Sequence, residues 1–116
     1  MSELSLLSDL RVLSKTIYWF ANRFPYTEKY NLTSQVKRAI ISSCLNVREG
    51  NVFRDKRKIS HFERALGSLV EVDECMILSI NLGYILEDDD YQIYRDQYFL
   101  CLNKLKKLIN SINSGE

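Results

Sequence analysis

The chain has 116 residues, 46% of them apolar and 27% charged, a balance that fits one soluble globular domain over 1–116 and excludes a disordered tail. No apolar run approaches the ~20 residues of a membrane span, and the start Met1-Ser2-Glu3-Leu4 lacks the basic flank and apolar stretch of a signal peptide, so a cytoplasmic protein without a membrane partner is expected. The net charge of +1 argues against indiscriminate polyanion binding, but the charges are segregated: residues 29–64 hold nine Lys/Arg against three acids, and 71–96 hold eight acids against Arg95.

Periodicity predicts four helices and no strand. Leu10, Leu13, Ile17, Phe20 and Phe24 step by three and four, the stripe of a helix over about 3–23 that Pro25 stops. Trp19 and Tyr18 fall off that stripe, and Trp19 is expected to become buried only on assembly. Leu32, Val36, Ile40, Ser43 and Val47 predict a second helix over about 32–49, with Gly50 as its C-terminal cap. The stretch Ser60-His61-Phe62-Glu63 fits the capping box S-x-x-E and places a third start at 60, leaving His61 exposed in the first turn. Phe62, Leu66, Leu69, Met76 and Ile80 carry that helix to about 82, before Gly83. Tyr91, Tyr94, Tyr98, Cys101, Leu105, Leu108 and Ile112 then form a heptad pattern over about 88–112, with acids at its start and lysines near its end, as the helix dipole favours. The three tyrosines at this spacing are expected in a core or subunit interface rather than as platforms for bases.

Four helices with short connections predict an all-α, antiparallel up-down-up-down bundle. In that topology alternate connections share an end. Arg48, Arg54, Lys56, Arg57, Lys58, Arg64, Lys104, Lys106 and Lys107 would then converge on one basic pole, diluted by Glu3, Asp9, Glu49, Asp55 and Glu63, with the acidic 84–90 stretch at the other pole. A second pattern runs beside the apolar stripes. Gln35, Arg38, Ser42, Asn46 and Glu49 form a polar ladder on helix two, answered on helix three by Arg64, Gly67, Glu71 and Glu74. A mid-helix glycine costs roughly 1 kcal/mol relative to alanine, and Gly67 is read as a close approach of another backbone. Arg38 is expected to pair with Glu71 or Glu49, within the bundle or between subunits; the alternative is a ladder that simply faces solvent.

Catalytic and cofactor chemistry is not expected. A di-iron bundle needs two Glu-x-x-His motifs, and His61 is the single histidine, so no metal site is assigned. Gly50, Gly67, Gly83 and Gly115 are too scattered for a phosphate loop, which leaves no nucleotide cofactor and no small-molecule substrate. Ser42-Ser43-Cys44 lacks an identifiable base, and Cys44, Cys75 and Cys101, without C-x-x-C spacing, read as small buried thiols.

The stretch "FPYTEKYNLTSQVKRAIISSCLNVREG" carries Phe24, Pro25, Glu28, Leu32, Gln35, Arg38, Ala39, Ser42, Asn46, Glu49 and Gly50 in a long ordered pattern. "ALGSLVE" adds Ala65, Gly67, Ser68 and Glu71, and "LGYI" follows at 82–85. These motifs resemble the four-helix-bundle proteins encoded in intervening sequences of bacterial 23S rRNA genes, a family that includes Avd, the accessory variability determinant of diversity-generating retroelements. The resemblance implies a non-enzymatic homopentameric ring, which in the retroelement branch binds a reverse transcriptase and structured nucleic acid. Two functions stay open. One is an accessory protein that binds structured RNA or DNA through phosphates at the basic pole, with weak sequence selectivity and strong salt dependence. The other is a scaffold or adaptor ring that recruits a protein and does not itself bind nucleic acid.

Overall fold

Amphipathic stripes this regular need partners on both sides, and the computed structural model, which describes residues 3–115, supplies them. The expected 1–116 unit is thus described without residues 1, 2 and 116, which lie outside the described residues. Its elements are α1 (Glu3–Ala21), a short 3-10 turn (Tyr26–Glu28), α2 (Leu32–Gly50), α3 (Lys56–Asn81) and α4 (Asp89–Asn113), with no strand among the described residues. Each helix packs on its neighbours in sequence, α4 closes on α1, and the seam between α2 and α3 is the most extensive. The result is a four-helix bundle measuring 45 × 27 × 19 Å. No helix among the described residues is long and apolar enough to cross a membrane.

The stripes become the core. Leu10, Leu13, Ile17, Val36, Ile40, Val47, Phe62, Leu69, Met76, Tyr94, Cys101 and Leu105 have no exposed surface, and each buried Val, Leu, Ile, Phe or Met side chain contributes about 1.5–3 kcal/mol. Tyr91, Tyr94 and Tyr98 are interior residues stacked in a tilted column with centroid spacings of 5.4 and 5.7 Å. Tyr94 donates its hydroxyl to Asp73 Oδ1 at 2.8 Å, and burial, then the Asp73 charge, raises its phenol far above the ordinary value. Late in α4 the buried position moves from Leu108 to Ile109, because a straight helix drifts by ~20° per heptad against a strict 3.5-residue repeat. Cys75 and Cys101 are buried and Cys44 half-buried, all as free thiols. Burial lifts Cys101 to about 12 and Cys75 to about 11, which leaves both as inert packing groups.

Two local expectations are corrected, and a third is not met within the protomer. Helix α3 begins at Lys56, not at Ser60, because Asp55 acts as the N-cap: its carboxylate accepts from Arg57 N at 2.9 Å and also holds the Arg57 guanidinium at 2.8 Å. The extra turn lets Ile59 pack against the core. Gly50 is not a left-handed cap. It is the last residue of α2, followed by Asn51 in right-handed conformation, and a Cβ there would lie 2.6 Å from Phe62 Cε1. The glycine is needed for contact with a buried ring, whereas Gly83, with φ +77°, is the glycine that turns the chain after a helix. Gly67 meets no other backbone in the protomer, since a Cβ built on it would find nothing within 4 Å.

Candidate functional site: a basic pole and a polar groove

The first candidate surface is the pole where α1 starts, α2 passes into α3 and α4 ends. A depression of about 780 Å³ is lined there by Glu3, Arg54, Lys56, Lys58 and Ile112, so these three parts of the chain do meet. Lys56, Arg57 and Lys58 stand in the first turn of α3, where the positive end of the helix dipole disfavours cations. Local acids offset this. Arg57 is held by Asp55, whose carboxyl is pulled down to about 2, chiefly by that guanidinium, and Arg57 also lies 4.1 Å over the Phe53 ring. Lys58 pairs with Glu3 at 2.5 Å. Lys104 pairs with Asp9 and donates to Ser5 Oγ at 2.8 Å. Of the nine cations assigned to the pole, these three are therefore engaged within the protomer. The acids responsible are Asp55, Glu3 and Asp9; Glu63 forms no ion pair among the described residues. Arg48, Arg54, Lys56, Arg64, Lys106 and Lys107 are exposed and form no ion pair among the described residues.

The second surface is an open groove along the α2/α3 seam. Gln35, Arg38, Ser42, Asn46 and Glu49 of α2 face Ser68 and Glu71 of α3 across a cleft of about 400 Å³, with Ile41 and Leu45 at its margin. A further cleft of about 430 Å³ continues it, shares Gln35 and Glu71, and reaches Glu28, Leu78 and Leu82. At that far end Glu28 accepts from Leu32 N at 3.3 Å and from the Tyr84 hydroxyl at 2.6 Å, and the Tyr84 bond chiefly lowers its pKa. Phe24 and Tyr84 are ring neighbours, 6.2 Å apart, so Phe24, Pro25 and Glu28 fasten two connections together rather than line the groove's centre.

Hydrogen bonds run along and across the seam. Ser68 Oγ donates to Ser42 Oγ at 3.0 Å, Asn46 Nδ2 donates to the Ser42 carbonyl at 3.0 Å, and Asn46 Oδ1 lies 3.0 Å from His61 Nδ1. The carbonyl oxygen of Asn46 can only accept, so Nδ1 is the protonated nitrogen of His61. Glu49 stands 3.7 Å from the same nitrogen, and Phe53 stacks on the ring at 5.6 Å with an interplanar angle of 9°. His61 is therefore not an exposed helix-start residue: only 15% of its side chain is accessible. With α3 starting at Lys56, His61 falls in its second turn facing α2, a placement the capping-box reading hid.

The expected Arg38 pair is absent from the protomer. Arg38 donates to Ser34 Oγ at 2.9 Å, and among the described residues no ion pair joins it to Glu71 or Glu49, although all three line one cleft. Arg64 does not line this groove. Trp19 lies elsewhere, on α1, 42% exposed, with the Arg23 guanidinium 3.6 Å from its ring centroid. Among the described residues no three His, Cys, Asp or Glu side chains gather as a metal site.

No curated protein matches the chain. The positions that line the groove and fasten its end are nevertheless those of a long ordered motif, and the sequence model of the 23S rRNA-intervening sequence proteins matches residues 2–111. The chain belongs to the 23S rRNA-intervening sequence protein family.

Proposed function

We propose that this chain is a non-enzymatic, cytoplasmic scaffold: an antiparallel up-down-up-down bundle whose copies assemble into a ring, five of them by the family resemblance. The antiparallel reading is supported by contacts that run in opposite senses, Asp9 with Lys104 and Thr16 with Gln97 for α1 and α4, and Ser14 with Cys44 and Asn22 with Lys37 for α1 and α2. One observation carries the assembly: Arg38 and Glu71 share an open groove, each without an ion-pair partner in the protomer, beside exposed Ile41 and Leu45. Exposed charges and apolar groups gathered in one groove are matched across interfaces when a single copy leaves them open. Sedimentation equilibrium tests it. The expected result is a multiple of the 13.6 kDa chain that persists at micromolar concentration, and a monomer at every concentration overturns the reading.

A second reading, an accessory protein that holds structured RNA or a complex of RNA with a reverse transcriptase, is favoured by the exposed cations Arg48, Arg54, Lys56 and Lys106 at the pole. Its binding would be salt-dependent, with log affinity falling by about 0.7 per log salt for each phosphate of a single strand neutralised. Anisotropy of a labelled structured RNA, with wild type beside the Arg54→Glu/Lys56→Glu variant, decides it. Binding lost in the variant supports the reading, and absence of binding at low salt by an intact oligomer overturns it.

A further inference from the structure

Exposed apolar side chains are not scattered evenly over the bundle. One strip lies on α1 and α4, which Thr16 and Gln97 join by a hydrogen bond: Val12 and Trp19 are exposed on α1, and Ile93, which is 51% exposed, and Leu100 on α4. Trp19, Ile93, Lys15 and Asp90 line one cleft of about 280 Å³. The other strip is the α2/α3 groove, where Leu45 is 54% exposed and Ile41, Leu78 and Leu82 are also open. Because each helix touches only its two neighbours in the cycle α1, α2, α3, α4, these two strips lie on opposite sides of the molecule.

We infer that the α1/α4 strip of one copy, anchored by Trp19 and Ile93, seats in the α2/α3 groove of another copy, so that each protomer offers one face and receives on the other. The inference rests on the homo-oligomer proposed above and assigns its contact. Charge and exposed apolar surface together fit this occupant. The α1/α4 cleft carries one cation and one anion, Lys15 and Asp90; the groove carries Arg38, Glu71 and Glu49, of which Glu49 stands beside His61, so that Glu71 and Arg38 are left to face Lys15 and Asp90. None of the four has an ion-pair partner among the described residues. Two apolar strips with complementary charge pairs satisfy each other and cover both faces, whereas the groove placed on a second groove would leave the α1/α4 strip, with Trp19 and Ile93, open to solvent.

Gly67 adds an independent observation. It sits one turn before Glu71 in the 26-residue α3, exposed and touching nothing, at a cost of roughly 1 kcal/mol in helix stability. The protomer gains nothing from a glycine there, but a neighbouring helix backbone can approach closely at a position without a side chain. A contact between two different faces is heterologous, and it closes into a ring or continues as a chain rather than stopping at a two-fold dimer.

The test uses two single variants and their mixture, with mass measured by sedimentation and folding by circular dichroism. Gly67→Arg puts a long charged side chain on the exposed face of α3 one turn before the groove residue Glu71, where it obstructs a helix approaching the groove and leaves the α1/α4 strip intact, and the open space around Gly67 means the protomer folds. Ile93→Glu spoils the α1/α4 strip while leaving the groove intact. Each variant alone is expected to be monomeric. Mixed in equal amounts, they are expected to give a complex of two chains, one of each, and nothing larger, because only one good contact remains. Leu45→Glu and Val12→Glu repeat the design at second positions on the two faces. Retention of the wild-type mass by either single variant, dimerisation of one variant with itself, or a mixture that stays monomeric overturns the assignment while leaving the oligomer standing. A wild-type chain that is itself monomeric overturns both.

Discussion

The basic pole and the α2/α3 groove use similar residue types in opposite ways. At the pole, cations that look available in the sequence are engaged by acids of the same chain, Lys58 by Glu3, Lys104 by Asp9 and Arg57 by Asp55. In the groove, Arg38 and Glu71 face one cleft without pairing. A charge run therefore measures binding capacity poorly until its internal partners are known. Exposed pairs such as Arg57 with Asp55 add little to stability, and their main effect is to remove a cation from the surface available to a phosphate.

Two glycines sharpen the contrast. Gly50, at the end of α2 nearest the pole, is packed so that a Cβ would lie 2.6 Å and 2.8 Å from carbons of the buried Phe62 ring and 3.2 Å from His61 Cβ. Neither neighbour is the free end of a flexible chain. Gly50→Ala is thus expected to destabilise the protomer by about 1–3 kcal/mol, the usual range for overpacking, read as a shifted urea midpoint with unchanged slope. Gly67→Ala is expected to do the reverse, raising protomer stability by roughly 1 kcal/mol in dilute solution. If both substitutions destabilise a monomeric protomer, the distinction between a packed glycine and an open one is wrong.

The core and the four helices were legible in the sequence because apolar spacing is set by the same 3.6-residue turn that builds the helix. The positions Leu10, Leu13, Val36, Ile40, Leu69 and Tyr94 are all interior. The candidate surfaces were less legible, for reasons that differ by residue. Two N-cap signals compete at the start of α3, and the Ser60 capping box is complete while Asp55 offers only its own carboxylate. Packing of Ile59 and the Arg57 bonds nevertheless favour Asp55. That shift of a turn carries His61 from the surface into a bond with Asn46. Gly50 and Gly67 look alike as letters, and only the position of Phe62 separates them. The pairing of Lys58 with Glu3 joins residues 55 positions apart in sequence, which no local pattern encodes.

Arg38 tests the groove with a smaller effect on the protomer. Its side chain is exposed and bonded to Ser34, so Arg38→Ala is expected to change protomer stability by no more than about 0.5 kcal/mol while shifting the oligomer towards monomer at a given concentration. Unchanged melting and unchanged mass together would return the ladder to a solvent-facing role. Lys15→Glu is expected to weaken assembly similarly, and the double variant Lys15→Glu/Glu71→Lys to restore part of it if the two charges meet across the contact.

The smallest effect belongs to the pole and is visible through pH. Asp55 has its carboxyl held at about 2, below the ordinary 3.8, chiefly by the Arg57 side chain. A carboxyl depressed in the folded state stabilises that state above the unfolded value and loses the contribution as pH falls from 3.8 towards 2. Asn is as good an N-cap as Asp, so Asp55→Asn keeps the helix start and removes only the charge. Wild type is expected to melt slightly above Asp55→Asn at neutral pH, by a margin that stays flat down to the unfolded carboxyl range and closes below it. Equal melting of the two proteins at neutral pH would assign the role of Asp55 to the neutral cap alone and leave the Arg57 cation free to act at the pole.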